Sequence, residues 1–182
     1  MDFLELARQR QSDRAFDPQK PVEPEKLQRI LRAGSIAPSA CNAQPWHFIV
    51  VDDPELKNQV ADATSNRVLG MNHFTKQAPI HLLIVEERAN FTSGIGSWVK
   101  NKHFPHIDIG IAAAHLTLAA AAEGLGSCII GWFDEKKIKK LLGIPSSRRV
   151  LLDILIGYSA QEYREKKRKP INEVVSRNRY EK

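Results

Sequence analysis

The chain has 182 residues, of which 42% are hydrophobic and 26% are charged, as in an ordinary soluble globular protein. This length is enough for one domain with its own core, so we expect a single domain over residues 1–182. No apolar run approaches the roughly 20 residues that cross a bilayer, and the start of the chain, Met1–Glu5, lacks the basic region of a signal peptide. We therefore expect a cytoplasmic protein without membrane attachment.

The net charge of +6 is concentrated near the C-terminus, where residues 163–182 carry eight Lys/Arg and three Glu. A basic tail can indicate nucleic-acid binding. However, the run Lys166–Lys169 has no interleaved aromatic residue, and no recognisable binding module surrounds it. We expect no nucleic-acid partner and interpret this run as a solvated connector that adds a positive field for anionic ligands.

The N-terminal half alternates helical and extended patterns. Apolar residues at helical spacing predict helices over about 2–10 and 23–36. A loop rich in proline and carboxamides then leads into a strand, Phe48–Val51. A polar helix over about 53–63 and a buried strand, Ile80–Val85, complete this half.

The C-terminal half contains one irregular segment, 88–104, followed by regular elements. Its aromatic residues, Phe91, Trp98 and Phe104, predict a wall of a substrate channel, although an ordinary surface loop with aromatics packed inward accounts for them equally well. A long alanine-rich helix over about 106–123 follows.

After this helix the pattern predicts a strand Cys128–Trp132, a basic helix Glu135–Leu142 and a strand Val150–Gly157. The glycine fingerprint of a doubly wound nucleotide-binding fold is absent. The element order therefore favours an α+β domain with a mainly antiparallel sheet flanked by helices.

The sequence offers no catalytic acid–base or nucleophile motif. His103-x-x-His106 has a spacing seen at metal sites, but no Cys or carboxylate accompanies it at such a spacing, so we predict no metal site. A G-x-S-x-G motif is absent, and Cys41 and Cys128, outside any C-x-x-C pair, are expected to be reduced thiols. This absence is consistent with a bound cofactor that carries out the chemistry.

Two polar segments stand out. The loop Pro38-Ser39-Ala40-Cys41-Asn42-Ala43-Gln44-Pro45-Trp46 carries carboxamides, which offer donors and acceptors to the edge of a heteroaromatic ring, and its prolines are expected to hold it extended. The segment Arg10-Gln11-Ser12-Asp13-Arg14 places two guanidiniums around a hydroxyl, a pattern that suits a phosphate.

A third basic pair, Arg177-x-Arg179, lies near the C-terminus. It stands among apolar residues, Val174, Val175 and Tyr180, for which a disordered tail has little use. The pair is therefore expected to contribute to a folded site.

These segments resemble motifs of the nitroreductase family of FMN-dependent enzymes. The resemblance also covers the central helix, which ends at Glu123-Gly124-Leu125-Gly126, and the later segment Leu141-Leu142-Gly143-Ile144-Pro145. The matches extend from Arg10 to Arg179. The resemblance implies the α+β fold of that family, an obligate homodimer, and an FMN site built from both subunits, with the basic segment 163–182 completing it.

The resemblance also implies which residues contact the cofactor: Arg10, Gln11, Ser12, Arg14, Pro38, Ser39, Asn42, Gln44, Cys128, Ile129, Ile130, Gly131, Arg177 and Arg179. Arg10 and Arg179 would hold the phosphate, with Arg177 as a helper, and residues 38–44 would come from the second subunit. Ile130 stands where some members have a glutamate, so a carboxylate near flavin N5 does not carry over.

The function implied by the resemblance is a ping-pong oxidoreductase. NAD(P)H would reduce the flavin, and a nitroaromatic or quinone-type acceptor would then take two electrons in the same space. Three alternatives stay open: dehalogenation, flavin fragmentation or heterocycle dehydrogenation on the same fold; a non-enzymatic flavin-binding protein; and a nucleic-acid binder acting through the tail. The sequence leaves open the physiological acceptor and the choice between NADPH and NADH.

Overall fold

The computed structural model describes residues 2–65, 70–87 and 103–181. The helices are α1 (Phe3–Gln9), α2 (Pro24–Ser35), α3 (Pro54–Thr64), α4 (Phe104–Ala122), α5 (Glu135–Leu142) and the short α6 (Ile171–Val174). The strands are β1 (Trp46–Val51), β2 (Ile80–Glu86), β3 (Gly126–Ile130) and β4 (Arg149–Gly157), and short 3-10 turns cover Ala40–Asn42 and Thr75–Gln77.

Local signals in the sequence account for the helix ends. Asp53 caps α3 by accepting a hydrogen bond from Leu56 N at 2.8 Å, and Asp134 caps α5 from Lys137 N at 3.0 Å. Gly143 takes a left-handed conformation, with φ of 66°, and ends α5.

The four strands form one antiparallel sheet in the order β1-β2-β4-β3. Alternate residues of β2 point to opposite faces. Leu82 and Ile84 pack in one core with residues of α2 and α4, whereas Leu83 and Val85 pack in a second core with residues of α3 and α5. The expected α+β fold, an antiparallel sheet flanked by helices, is confirmed.

The helix α4 belongs to the core. With 19 residues, it is long and apolar enough to cross a membrane by length and average composition alone, but 44% of the relevant window is buried inside the protein. Ile109, Leu116 and Ala120 lie in the core, and a Cβ on Gly34 of α2 would come 2.5 Å from Leu116 Cδ2. We read α4 as a core helix packed closely against α2.

The structure shifts several predicted boundaries. The helix α4 begins at Phe104 instead of about 106, β1 begins at Trp46, and β3 begins and ends two residues before the predicted Cys128–Trp132. The chain leaves the sheet after Ile130 because Asp134 N donates to Ala63 O at 2.8 Å, which draws it towards α3. Pairing along β4 therefore stops at Ile130, opposite Asp153.

A buried histidine and aspartate, joined by a hydrogen bond, link the centre of the sheet to the turn Thr75–Gln77. His81 on β2 and Asp153 on β4 are both fully buried, and His81 Nδ1 lies 2.7 Å from Asp153 Oδ2. His81 Nε2 lies 3.1 Å from Thr75 O; because a carbonyl only accepts, this nitrogen carries a proton. The pair thus fixes the turn against the sheet.

We expect Asp153→Ala to lower the free energy of unfolding by about 3–5 kcal/mol, because it leaves a polar imidazole buried without its partner. The double variant His81→Leu/Asp153→Ala should recover much of this loss, since neither polar group then remains. Urea unfolding, with Asp52→Ala as an exposed control, measures both effects. Additive losses in the double variant would contradict this account.

Candidate functional site

The N-terminal segment Arg10–Arg14 is attached to the edge of β3 by Asp13. This carboxylate is only 3% exposed; Oδ2 accepts from Ser127 N at 3.0 Å, and Oδ1 accepts from Ser159 Oγ at 2.7 Å and from Gln11 Nε2 at 2.9 Å. Asp13 N in turn donates to Ser127 O at 2.9 Å. A buried carboxylate with three donors is fully satisfied, so the segment has one fixed position.

A glycine at the start of β3 makes this attachment possible. A Cβ on Gly126 would come 2.8 Å from Asp13 Oδ2, so any other residue would displace the carboxylate. No motif or periodicity in the sequence had indicated a role for Asp13. The two glycines on either side of Leu125 were the sequence signal for this contact. Gly124, with φ of 73°, ends the turn after α4, and Gly126 leaves room for the Asp13 carboxylate.

Basic side chains from both ends of the chain line a cleft of about 380 Å³: Arg10, Arg14, Arg164, Lys166, Lys167 and Arg168, together with Gln11, Ser12 and Glu165. Gln11 Oε1 accepts from Arg164 N at 3.1 Å, and Gln11 Nε2 donates to Glu162 O at 3.3 Å. Lys166 Nζ donates to Arg8 O. These contacts hold the tail against the N-terminal segment.

The cleft carries unbalanced positive charge. Desolvation lowers the pKa of Lys166, and the charges of Arg10 and Arg168 act in the same direction. Within the described part of the chain, none of the cleft's arginines or lysines forms an ion pair with a carboxylate. Such a cluster is suited to an anion with several oxygen atoms, such as a phosphate.

Arg177 and Arg179 do not share this cleft. Both are exposed, and Arg179 lines a separate depression formed by residues 173–181 of the tail itself. The run Lys166–Lys169, interpreted from sequence as a solvated connector, instead supplies cations beside Arg10, and that interpretation was wrong for the half-buried Lys166. Lys166 and Arg168 have the same spacing as Arg177 and Arg179. The hydrogen bonds of Gln11 with the backbone of Glu162 and Arg164 bring Lys166 and Arg168 to the cleft.

Gln161 adds an unpaired polar group next to the cations. Its Oε1 accepts from Arg14 N at 3.1 Å, whereas its Nε2 is buried and has no hydrogen-bond partner among the described residues. Gln161 lines an adjoining cleft of about 530 Å³, which also contacts Arg10 and Ser127. A buried donor without a partner is costly unless a ligand accepts from it. The sequence analysis did not single out Gln161.

Four residues at the end of β3 and just after it were predicted to contact the flavin ring, and only two of them are exposed. The side chain of Ile129 is 42% exposed and Gly131 is exposed, whereas Cys128 and Ile130 are 3% and 5% exposed and pack in the core with Phe16. Burial raises the pKa of the Cys128 thiol, so it stays protonated. Only Ile129 and Gly131 of this set face solvent.

The loop Pro38–Gln44 is compact instead of extended, so that expectation was wrong. Cys41, Asn42 and Gln44 have φ values of 52°, 53° and 47°, which are uncommon for residues other than glycine. Gln44 N donates to Ser39 Oγ at 2.9 Å, and Gln44 Nε2 donates to Asn42 Oδ1 at 3.1 Å. These internal bonds overcome the preference of the prolines, and left-handed residues held in this way are common at functional sites.

This loop and the cationic cleft lie at opposite ends of α4. Ala40 N donates to Asp108 Oδ1 at 3.1 Å in the second turn of the helix, whereas Asp13 binds Ser127, just beyond the helix C-terminus. A helix of 19 residues is about 28 Å long. One chain therefore keeps the two predicted halves of the site well apart.

Of the three aromatic residues predicted to contact substrate, the structure describes one, Phe104. Phe104 is the first residue of the helix and is half-buried. Phe91 and Trp98, with most of the predicted channel segment 88–104, lie outside the described residues. No Cys or carboxylate lies at a metal-site sequence spacing from His103 and His106, but the fold brings one beside them: Glu86 Oε1 lies 2.8 Å from His103 Nε2, across a sequence separation of 17.

The antiparallel α+β fold and the cation-lined edge of β3 agree with one class of oxidoreductases. The model of the nitroreductase family matches residues 7–158, and the chain belongs to this family. Its relatives include YdgI of Bacillus subtilis, assigned to the NAD(P)H nitroreductases, at 29% identity over 96% of each chain.

An iodotyrosine deiodinase of Thermotoga neapolitana is also 29% identical over 96% of each chain. Among solved structures, an FMN-dependent nitroreductase from Clostridium difficile R20291 superimposes with a TM-score of 0.78 at 30% identity. That match covers 98% of this chain and 100% of the other.

We expect Asp13→Asn to lower the free energy of unfolding by about 2–4 kcal/mol, because an amide NH₂ would face donors where a carboxylate oxygen accepts. Thermal and urea unfolding of this variant beside Asp52→Asn, which changes an exposed acid in the same way, measures the difference. Equal stability of the two variants would contradict the role of Asp13.

Proposed function

We propose that the protein is an FMN-dependent oxidoreductase that uses NAD(P)H to reduce nitroaromatic or quinone-type acceptors. The observation that carries this proposal is the unpaired cation cluster of Arg10, Arg14, Lys166 and Arg168 beside the edge of β3. FMN ends in a phosphate, which this cluster fits. When bound, the flavin supplies hydride exchange at N5; the name of the Clostridium difficile relative supports this choice of cofactor.

Different side chains of the cleft are suited to different parts of FMN. The guanidiniums of Arg10, Arg14 and Arg168 offer bidentate contacts to phosphate oxygens, and Lys166 adds a compact charge. Ser12 and the unpaired Nε2 of Gln161 offer contacts to hydroxyl groups of the ribityl chain. These assignments replace Arg177 and Arg179 as phosphate ligands, because the latter lie away from Arg10 within the chain.

The exposed end of β3 is suited to the ring. Ile129 offers an apolar surface. Asp13 already occupies the outward backbone groups of Ser127, but beyond Ser127 no further strand pairs with β3 in the described sheet, so the outward backbone groups at Ile129 are available to ring atoms. Gly131 has no atoms within 4 Å of its virtual Cβ, which leaves open space beside the backbone. The chain would thus bind and orient the flavin ring. Ile130 is buried and provides no carboxylate near flavin N5.

A homodimer unites the two halves of the site. The loop Pro38–Gln44 and the cationic cleft are separated by about 28 Å of helix in one chain. A twofold axis across α4 would place the N-terminal end of one helix beside the C-terminal end of its partner. The loop of one subunit would then reach the cleft of the other, and its amides Asn42 and Gln44 would face the ring.

The surface of α4 is suited to such pairing. A stripe at helical spacing is exposed or half-buried in the single chain and consists of apolar or small residues: Ile107, Gly110, Ile111, Ala114, Leu118 and Ala121. No charged residue occurs between Asp108 and Glu123. A helix that is apolar on all sides is normally buried on all sides, which supports a partner on this face.

Reductive dehalogenation of an aromatic substrate is the second candidate function. It is favoured by the similarity to the iodotyrosine deiodinase of Thermotoga neapolitana, which spans nearly the whole of both chains. Such a reaction would consume two electrons and a proton and release iodide. Iodide release from an iodotyrosine, with no NAD(P)H-dependent turnover of nitroaromatics, would select this candidate over the first.

We expect Arg168→Ala to raise the Kd for FMN about 10–100-fold, corresponding to a lost charge-assisted contact of about 1.5–3 kcal/mol. Arg10→Ala should have a similar effect. The matched control is Arg177→Ala, which removes the same side chain from the exposed tail. Fluorescence titration of FMN into the apoprotein measures all three. A larger loss in Arg177→Ala than in Arg168→Ala would contradict the reassigned phosphate site.

We expect Ala114→Glu to convert the dimer to a monomer and to abolish FMN retention together, because the charge lies in the middle of the proposed α4 pairing face. Ser146→Glu adds the same charge on an exposed loop and should change neither property. Light scattering after size-exclusion chromatography, with flavin absorbance recorded on the same peak, measures both. A monomeric wild type that retains flavin would contradict the shared site.

A further inference from the structure

Two histidines and a glutamate meet at the surface where β2 ends and α4 begins. Glu86 Oε1 lies 2.8 Å from His103 Nε2, and Glu86 Oε2 lies 3.6 Å from His106 Nε2. One ligand atom from each of the three residues falls within 4.8 Å of the others. The imidazoles are about half exposed, at 54% and 52%, so solvent reaches the group directly.

We propose that Glu86, His103 and His106 form a binding site for a divalent transition-metal ion of the Zn²⁺ type, separate from the flavin site. Two imidazole nitrogens and one carboxylate are ligands that zinc accepts, and three protein ligands leave a fourth position for water. The carboxylate of Glu86 also supplies a negative charge to the site, which favours a cation.

The geometry requires little movement. Ligand atoms about 2.1 Å from a tetrahedral zinc lie about 3.4 Å from one another. Glu86 Oε2 and His106 Nε2, 3.6 Å apart, are already close to this spacing, whereas the other oxygen, Oε1, lies 2.8 Å from His103 Nε2 and must move away by a fraction of an ångström. Two imidazoles on one tetrahedral zinc have ring centroids about 5 Å apart, so these rings, which cross at 67° with centroids 3.9 Å apart, must separate by about 1 Å.

One feature of the location opposes the ion. His103 is the N-cap of α4 and His106 lies in its first turn, where the helix dipole is positive. The carboxylate of Glu86 offsets this effect. We therefore expect binding in the micromolar range, well short of the affinity of a closed four-ligand structural site.

An ion here would brace the end of α4 that carries the loop Pro38–Gln44. His106 precedes by two residues Asp108, which accepts from Ala40 N of that loop. Glu86 pairs with Trp46, where the loop enters β1. The ion would link β2 to α4 beside this loop, and the Arg10–Arg14 cleft lies at the other end of the helix.

The test is a calorimetric titration of ZnCl₂ into the flavin-loaded protein, purified without a polyhistidine tag. We expect one zinc per chain and a rise in Tm of about 5 °C at a hundredfold excess over Kd. His103→Gln, His106→Gln and Glu86→Gln should each raise the zinc Kd at least about tenfold and remove the shift in Tm. His47→Gln, which removes an exposed imidazole outside the group, and Cys41→Ser, which removes an exposed thiol, should leave both unchanged.

Failure of the wild type to bind zinc would overturn the proposal and leave the three side chains as a hydrogen-bonded surface group. Zinc binding that persists in both histidine variants, or that is lost in Cys41→Ser, would also overturn it by locating the ion elsewhere. The two histidine variants are independent, so misfolding of one leaves the other decisive. FMN content is recorded in every titration, because the zinc result does not depend on the flavin proposal.

Discussion

The buried carboxylate of Asp13 is the interaction on which the candidate site depends. It accepts hydrogen bonds from the backbone of β3, from Ser159 after β4 and from Gln11 in its own segment. Three parts of the chain that are distant in sequence therefore meet at one group. Arg10 and Arg14 flank Asp13 and are placed by it, and Gln11 then positions the basic tail through Arg164 and Glu162.

A second buried carboxylate, Asp108, fixes a loop at the opposite end of α4. The buried Asp108 accepts from Ala40 N and fixes the loop Pro38–Gln44, whose left-handed residues are held by their own amide and hydroxyl contacts. The rigid helix separates these two carboxylate anchors. Its length prevents one chain from completing the proposed site, and the proposed dimer uses the apolar face of α4 as the contact between two copies.

Much of the fold followed from the sequence because local signals governed it. Helical spacing and the apolar run of β2 predicted elements that the structure confirms within a few residues. The R-x-S-x-R segment was recognised as a phosphate-binding pattern, and the structure places it beside a cation-rich cleft. Its position on the edge of β3, however, depends on Asp13 and Gly126, which no single periodicity reveals.

The failures share a physical cause: contacts between residues far apart in the chain. The apolar neighbours of Arg177-x-Arg179 favoured that pair in sequence, whereas hydrogen bonds between Gln11 and the backbone of Glu162 and Arg164, and between Lys166 and Arg8, bring Lys166-x-Arg168 to the cleft. The loop looked extended because proline preferences are local, whereas the bonds of Ser39 and Gln44 close it. Glu86 and His103 are far apart in the sequence and come into contact because the end of β2 lies beside the start of α4.

The central claim is that the clefts beside β3 hold a flavin that a nicotinamide nucleotide can reduce. The most direct measurement is an absorbance spectrum of the purified protein, recorded anaerobically before and after addition of NADPH and, separately, NADH. This account predicts oxidised-flavin bands at about one flavin per chain, bleached by at least one of the nucleotides. A colourless protein that also takes up no added FMN would contradict it.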